Sequence, residues 1–189
     1  LISGLGAIDN TKSALEWFRE QVKKAGFPNL HLQITVWGEN SFNLSGFDSN
    51  MQGTTKEIVS LLGADSVSHY QFVHFAEIDR DYLAILEDVQ KEWTRIEKEY
   101  GVPYFPHVSC GWDNNPRFKH FRAGIVKNNS PENIQKAMQM AKEYLDRHQN
   151  IPPLVTVNSW NEWTETSYLQ PDNVYGYGYL EAVKKVFKD

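Results

Sequence analysis

The sequence predicts an α/β fold of the (β/α)8 TIM-barrel type, with this chain supplying about the C-terminal four βα units. Three observations carry that expectation. Strand-like runs near residues 31, 67, 104 and 154 each have a helical pattern before and after them, and such alternation requires crossovers and a parallel sheet. Polar and aromatic residues gather just after those runs, where a parallel barrel builds its site. No glycine-rich phosphate loop follows any strand, which disfavours the alternative of a four-stranded doubly wound nucleotide-binding sheet. A complete barrel runs to about 250 residues, so the four units of residues 1–189 read as about half of a single domain.

The elements follow in order. Asp9 or Asn10 caps a helix through Leu15, Phe18 and Val22 that stops at Gly26, and Pro28 follows it. His31 to Trp37 alternates and is β-branched, as a strand requires. Thr54 to Leu62 reads as a short helix ending at Gly63, and Val67 to Phe75 as an aromatic strand. Asp79 or Asp81 opens a long helix with Leu83, Leu86, Val89, Trp93 and Ile96 at helical spacing, ending near Gly101. Pro103 to Gly111 is a strand whose prolines suit an edge or a strand start. Ser130-Pro131-Glu132 starts a helix carrying Ile134, Ala137, Met138, Ala141 and Leu145 on one face. Leu154 to Val157 is a short buried strand, and Tyr177 to Phe187 a closing helix.

Bulk properties remove several function classes. With 41% hydrophobic and 23% charged residues the chain has the composition of a folded globular domain. The net charge of −5 and the dispersed Lys and Arg residues argue against nucleic acid, whose phosphates need a basic face. No run approaches the roughly 18 consecutive apolar residues of a membrane span. The single cysteine, Cys110, allows no intrachain disulfide and suits a small buried filler. The six histidines, at 31, 69, 74, 107, 120 and 148, lack ligand spacing. No metal or cofactor is expected, and His74 and His107 read as structural residues that can also reach a cleft. Aromatic residues make up 13% of the chain, and those at strand ends suit either a cleft lined with flat rings or rim packing.

The residues toward and beyond the carboxyl ends of the predicted strands are Trp37, Glu39 and Asn40; Tyr70 and His74; Trp112, Asp113, Asn114 and Arg117; and Asn158 through Glu165. The last segment is the densest. Glu162 and Glu165, three apart, share one side of a helical turn. Neighbouring carboxylates and the desolvation from an adjacent Trp raise proton affinity, so one acid can keep a proton while the other stays ionised. Glycosidic bond cleavage uses that division. In Trp112-Asp113-Asn114-Asn115-Pro116-Arg117, a ring platform with an Asp and an Arg suits sugar hydroxyls. The same residues also suit a turn in which Arg117 bridges to Asp113, and spacing does not separate the two readings. No Gly-x-Ser-x-Gly elbow supports a serine hydrolase.

At Trp160-Asn161-Glu162-Trp163-Thr164-Glu165, continuing through Tyr168-Leu169-Gln170-Pro171-Asp172 and Tyr175-Gly176-Tyr177-Gly178-Tyr179-Leu180, the chain resembles the glycoside hydrolase family 99-like group, including its WbsX-like members. Trp112 to Arg117 and Gly46-Phe47-Asp48 resemble the WbsX-like pattern in the same order. The resemblance implies a (β/α)8 barrel and a retaining, endo-α-mannosidase-like hydrolase acting on a polysaccharide or oligosaccharide. In that scheme Glu162 deprotonates a sugar 2-hydroxyl and Glu165 serves as acid, then base. Asn161, Trp160, Trp163, Trp112, Asp113, Arg117, Trp37 and Tyr168 are the expected substrate contacts. Thr164, Thr166 and Gln170 stand where the characterised hydrolases carry His, Gly and Glu. A carbohydrate substrate and the upstream half of the barrel, in the same or a second chain, are the implied partners. A periplasmic or secreted location would suit a bacterial polysaccharide hydrolase, although the sequence itself leaves the compartment open. A glycosyltransferase of polysaccharide biosynthesis and a non-catalytic carbohydrate-binding or assembly piece are the alternatives.

Overall fold

The computed structural model describes residues 11–38 and 54–188. The expected first helix cap at Asp9 or Asn10, the residues Glu39 and Asn40, and Gly46-Phe47-Asp48 lie outside the described residues. The chain divides into two compact units: Leu1–His69 with Arg95–Tyr104, and Tyr70–Thr94 with Phe105–Asp189.

The first unit contains helix α1 (Thr11–Lys24), strand β1 (Gln33–Val36), helix α2 (Thr55–Leu61) and strand β2 (Ser66–His69). Gly26 and Gly63 end the two helices at positive φ, as expected of glycine stops. Phe27 N and Ala64 N donate back across each turn to Val22 O and Val59 O. Thr54 caps α2 through a reciprocal capping box with Glu57. β1 and β2 pair in parallel, from Gln33 opposite Ser66 to Val36 opposite His69. Ile34, Val36, Ile58 and Val67 form the buried apolar centre. Arg19 fastens the unit, donating to Asp65 Oδ2 at 2.6 Å, Leu30 O at 2.6 Å and Gly63 O at 2.8 Å. Of the α1 stripe only Leu15 is buried, and Phe18 remains exposed.

Helix α3 (Tyr82–Glu99) starts in the second unit, where Asp81 Oδ1 accepts from Leu83 N at 2.9 Å. Strand β3 (His107–Ser109), helix α4 (Pro131–Arg147), strand β4 (Thr156–Asn158), the two-residue strands β5 (Asn161–Glu162) and β6 (Ser167–Tyr168), and helix α5 (Gly178–Phe187) complete the unit. β3 and β4 are parallel, His107 opposite Thr156 and Ser109 opposite Asn158. Cys110 N continues that ladder to Asn158 O at 2.8 Å. The apolar face of α4 is buried at Ile134, Ala137, Met138 and Ala141, and Trp93 meets Tyr144 edge to face at 5.7 Å.

The parallel pairing follows from the alternation of elements, and the fold is mixed α/β. The described strands make only two-stranded sheets and close no barrel. Several boundaries differ from the sequence reading. The run from Val67 to Phe75 is a strand only to His69, because Phe72–His74 turns into a 3-10 helix. The prolines at 103 and 106 have no N–H to donate, so β3 begins at His107, with Tyr104 forming an isolated bridge to Val67. Leu154 precedes β4 and is exposed rather than buried. Ser130 occupies the N-cap of α4 without a side-chain cap bond, its carbonyl accepting from Asn133 N and Ile134 N. Cys110 is buried, its thiol pushed up to about 12 by that burial, in keeping with a filler role.

Met138 is completely buried on α4. Truncation of Met138→Ala should remove about 2–5 kcal/mol of stability through lost burial and a residual cavity. Urea unfolding followed by circular dichroism checks this, and an unchanged midpoint would contradict the assigned core.

Candidate functional site

The segment after β4 folds as a small hairpin. Ser159 Oγ donates to Ser167 O at 2.7 Å and accepts from Glu162 N at 3.1 Å. Ser167 Oγ lies 2.8 Å from both Asn158 O and Asn158 Oδ1. β5 and β6 pair antiparallel, Asn161 opposite Tyr168 and Glu162 opposite Ser167. A 3-10 turn, Trp163–Glu165, joins them, and Thr166 closes it in the left-handed region at φ 50°. The expected helical turn is thus a hairpin loop. A 3-10 turn has about three residues per revolution, so it still sends Glu162 and Glu165 to a common side.

The loop after β3 lies directly against this turn. Asp113 N donates to Glu165 O at 2.8 Å, and Thr166 Oγ1 to Asp113 O at 3.3 Å. Asp113 Oδ1 accepts from Asn115 N at 2.9 Å and Asn115 Nδ2 at 2.7 Å, holding the turn that leads to Arg117. A Cβ at Gly111 would stand 2.5 Å from Thr166 O and 2.5 Å from Asn129 Nδ2, so only glycine permits this approach.

Arg117 then spans both acids. Its Nη1 donates to Glu165 Oε1 at 2.7 Å, Nη2 to Glu162 Oε1 at 3.1 Å, and Nε to Thr164 Oγ1 at 2.9 Å. Thr164 Oγ1 donates in turn to Glu162 Oε1 at 2.6 Å. Arg117 therefore bridges to the glutamates and not to Asp113, whose carboxylate is turned to its own loop. The Asp-Asn-Asn-Pro turn and the arginine's reach into the acid pair are both present.

The two acids occupy different surroundings. Glu162 keeps 41% of its side chain exposed and Glu165 only 10%. The Thr164 hydroxyl, and then the charge of Arg117, hold the Glu162 carboxyl below its ordinary value. Burial pushes Glu165 above its ordinary value, against the attraction of Arg117 and with the repulsion of Glu162. Gln71, completely buried, donates from Nε2 to Glu165 Oε2 at 2.9 Å. Burial and the charges of Glu165 and Glu162 also push the Tyr70 phenol up.

Aromatic residues border the hairpin. Trp163 stacks on Tyr168 with centroids 3.9 Å apart, and its Nε1 donates to Gln170 Oε1 at 2.7 Å. Tyr168 OH donates to Asp172 Oδ2 at 2.9 Å. Trp160 and Asn161 are exposed, and Trp112 is half-buried. Trp37 follows β1 in the first unit and is partly exposed. His107 is buried among hydroxyls, with Nδ1 2.9 Å from Thr156 Oγ1 and Nε2 3.2 Å from Ser109 Oγ, a structural arrangement. No group of His, Cys, Asp and Glu among the described residues could hold a metal ion. No described helix is long and apolar enough to cross a membrane.

Sequence reasoning missed Gln71 and Thr164. Gln71 stands just beyond the true end of β2, so the strand-end rule would have found it had the strand been ended at His69. Thr164 lay inside the motif, but its hydroxyl bonds depend on the 3-10 turn.

Parallel strands followed by loops that converge on paired carboxylates define an α/β protein with a two-acid site. The sequence model of the family described as "Glycosyltransferase WbsX" matches residues 3–183, and the chain belongs to that family. Two relatives from strains of Xanthomonas campestris pv. campestris, each named "Uncharacterized protein WxcX", are 34% identical over 108 residues. That match covers 56% of this chain and 14% of each relative. A solved chain described as "Glycoside hydrolase-like protein" shares the fold at TM-score 0.63 and 15% identity, over 95% of this chain and 50% of that one.

Gly111→Ala should separate the two loops, destabilising the protein by about 1–3 kcal/mol and weakening the Arg117 contacts. Thermal unfolding and the Arg117 side-chain NMR signals read both effects; a wild-type Tm would contradict the close approach. Arg117→Met should move the titrations of Glu162 and Glu165 upward, because the cation lowers both. Carboxyl titrations in that variant check the sign.

Proposed function

We propose that this chain is the C-terminal half of a (β/α)8 carbohydrate-active domain, and that it carries the two catalytic acids of a retaining glycoside hydrolase acting on a polysaccharide or oligosaccharide. The observation that carries the reading is the Glu162–Arg117–Glu165 arrangement, in which one carboxyl is held below its ordinary value and the other is pushed above it by burial. Family membership and the likeness to half of a glycoside hydrolase-like chain support the barrel and the carbohydrate setting. The upstream half completes the barrel, from the same chain or a second one.

In the reaction we assign, Glu162 takes the proton of the sugar 2-hydroxyl, and that oxygen attacks the anomeric carbon. The glycosidic bond breaks as Glu165 gives its proton to the leaving oxygen, producing a 1,2-anhydro sugar. Glu165, now ionised, takes a proton from water, whose oxygen opens the three-membered ring at the anomeric carbon. Glu162 returns its proton to the 2-oxygen, so both acids are restored and two inversions give net retention. Trp160, Trp163, Trp112 and Tyr168 offer rings to sugar faces, with Asn161 and Asp113 as polar contacts. An endo-α-mannosidase-like substrate is the specific form of this reading.

The family's description as a glycosyltransferase favours a second reading, transfer from an activated sugar. Release of reducing sugar from polysaccharide without a nucleotide donor supports hydrolysis; strict dependence on the donor supports transfer.

For the complete domain, Glu162→Gln and Glu165→Gln should each lower turnover by at least about 100-fold while leaving sugar binding by calorimetry largely intact. Glu165→Gln should recover in part on aryl glycosides whose leaving groups need no proton; unchanged turnover in either variant would remove the assigned roles. The profile of kcat/KM should be bell-shaped. It falls on the acid side as Glu162 gains a proton, below the ordinary carboxylate value, and on the alkaline side as Glu165 loses one, above it. A profile with no alkaline fall attributable to Glu165 above the ordinary carboxylate value would contradict Glu165 as the acid.

A further inference from the structure

Glu165 has one oxygen that cannot pass its proton to its neighbour. Oε1 accepts from Arg117 Nη1 at 2.7 Å, and a guanidinium has donors only, so a proton on that oxygen would face no acceptor there. The other oxygen, Oε2, faces Gln71 Nε2 at 2.9 Å. Gln71 is completely buried at the start of the turn after β2. Its Oε1 is also buried, and it has no hydrogen-bond donor among the described residues. Buried amide oxygens are ordinarily paired, so this one stands out. Half a revolution about the Cγ–Cδ bond exchanges Nε2 and Oε1 with little change in shape.

We propose that Gln71 is a positioning residue that serves both protonation states of Glu165, donating from Nε2 to the carboxylate and, with its amide turned, accepting through Oε1 from the carboxylic acid. A fixed donor would support only the ionised form. A side chain that can present either group supports the acid before proton delivery and the base after it. The pairing with Oε2 also steers the resting proton to that oxygen and leaves Oε1 to the arginine. The other charged or titratable groups acting at this point are Arg117, Glu162 and Tyr70. None of them combines a buried donor and a buried acceptor. The consequence for turnover rests on the acid/base role assigned above to Glu165, whereas the amide's response to its proton does not.

The test is the side-chain 15N–1H pair of Gln71, identified by its loss in Gln71→Met, followed across the titration of Glu165 monitored by its own 13C carboxyl signal. The proposal requires the amide pair to shift with the Glu165 midpoint, to stop shifting in Glu165→Gln, and to go on shifting in Glu162→Gln. An amide signal that stays constant while Glu165 titrates, or one that still shifts in Glu165→Gln, would overturn it. These spectra need no turnover, and the wild-type measurement stands even where a position 71 variant folds poorly. In turnover, Gln71→Met should lower kcat about tenfold with KM unchanged. A shifting amide together with an unchanged kcat would overturn the contribution of Gln71 to turnover, while the catalytic role of Glu165 is judged separately by Glu165→Gln.

Discussion

Arg117 lies in one loop and binds two carboxylates in another, and the geometry of the site follows from that reach. The guanidinium contacts Glu162 and Glu165 through separate nitrogens and takes Thr164 on its third edge. Its side chain is 42% exposed, and exposed ion pairs add little to stability because water screens them. Its effect is therefore on proton affinity and orientation. A rigid fork fixes two acids relative to one another more firmly than an ammonium could. The asymmetry comes from depth: the same cation meets one solvated carboxylate and one buried carboxylate, and burial decides the direction for the second.

That reach needs two loops close together, and the chain secures this with few atoms. The bond from Asp113 N to Glu165 O is backbone to backbone, so it is independent of side-chain identity. Gly111 admits Thr166 O where any Cβ would collide. On the other side, the hydroxyls of Ser159 and Ser167 tie the hairpin back to the end of β4. Because β3 and β4 are parallel neighbours, their following loops emerge at the same end. The site is thus a consequence of strand order before it is one of side chains.

Much of this was legible in the sequence. Helix stops at Gly26 and Gly63 and the apolar stripe on α4 are local signals, and the structure repeats them. The rule that sites follow parallel strands drew attention to Arg117, Glu162 and Glu165, and the structure brings all three together. What could not be read depended on bonds between segments distant in sequence. Spacing left Arg117 either facing sugar hydroxyls or bridging to Asp113, and its actual partners, the two glutamates, depend on how the β3 loop meets the hairpin. Gln71 was hidden inside an overlong strand, because Tyr70, Phe72 and Phe75 look β-like locally while Phe72–His74 turns. The three-residue spacing of Glu162 and Glu165 suits a helical turn and a hairpin's 3-10 turn equally, so spacing alone does not distinguish them.

The two acids that share one arginine differ in proton affinity in a defined order, with Glu162 below the ordinary carboxylate value and Glu165 above it. Site-resolved 13C carboxyl titration of the wild-type protein measures this directly. Two separated midpoints, the lower at Glu162 and the higher at Glu165, are the expected result; coincident midpoints, or the reverse order, would show that burial and the shared arginine do not divide the two acids.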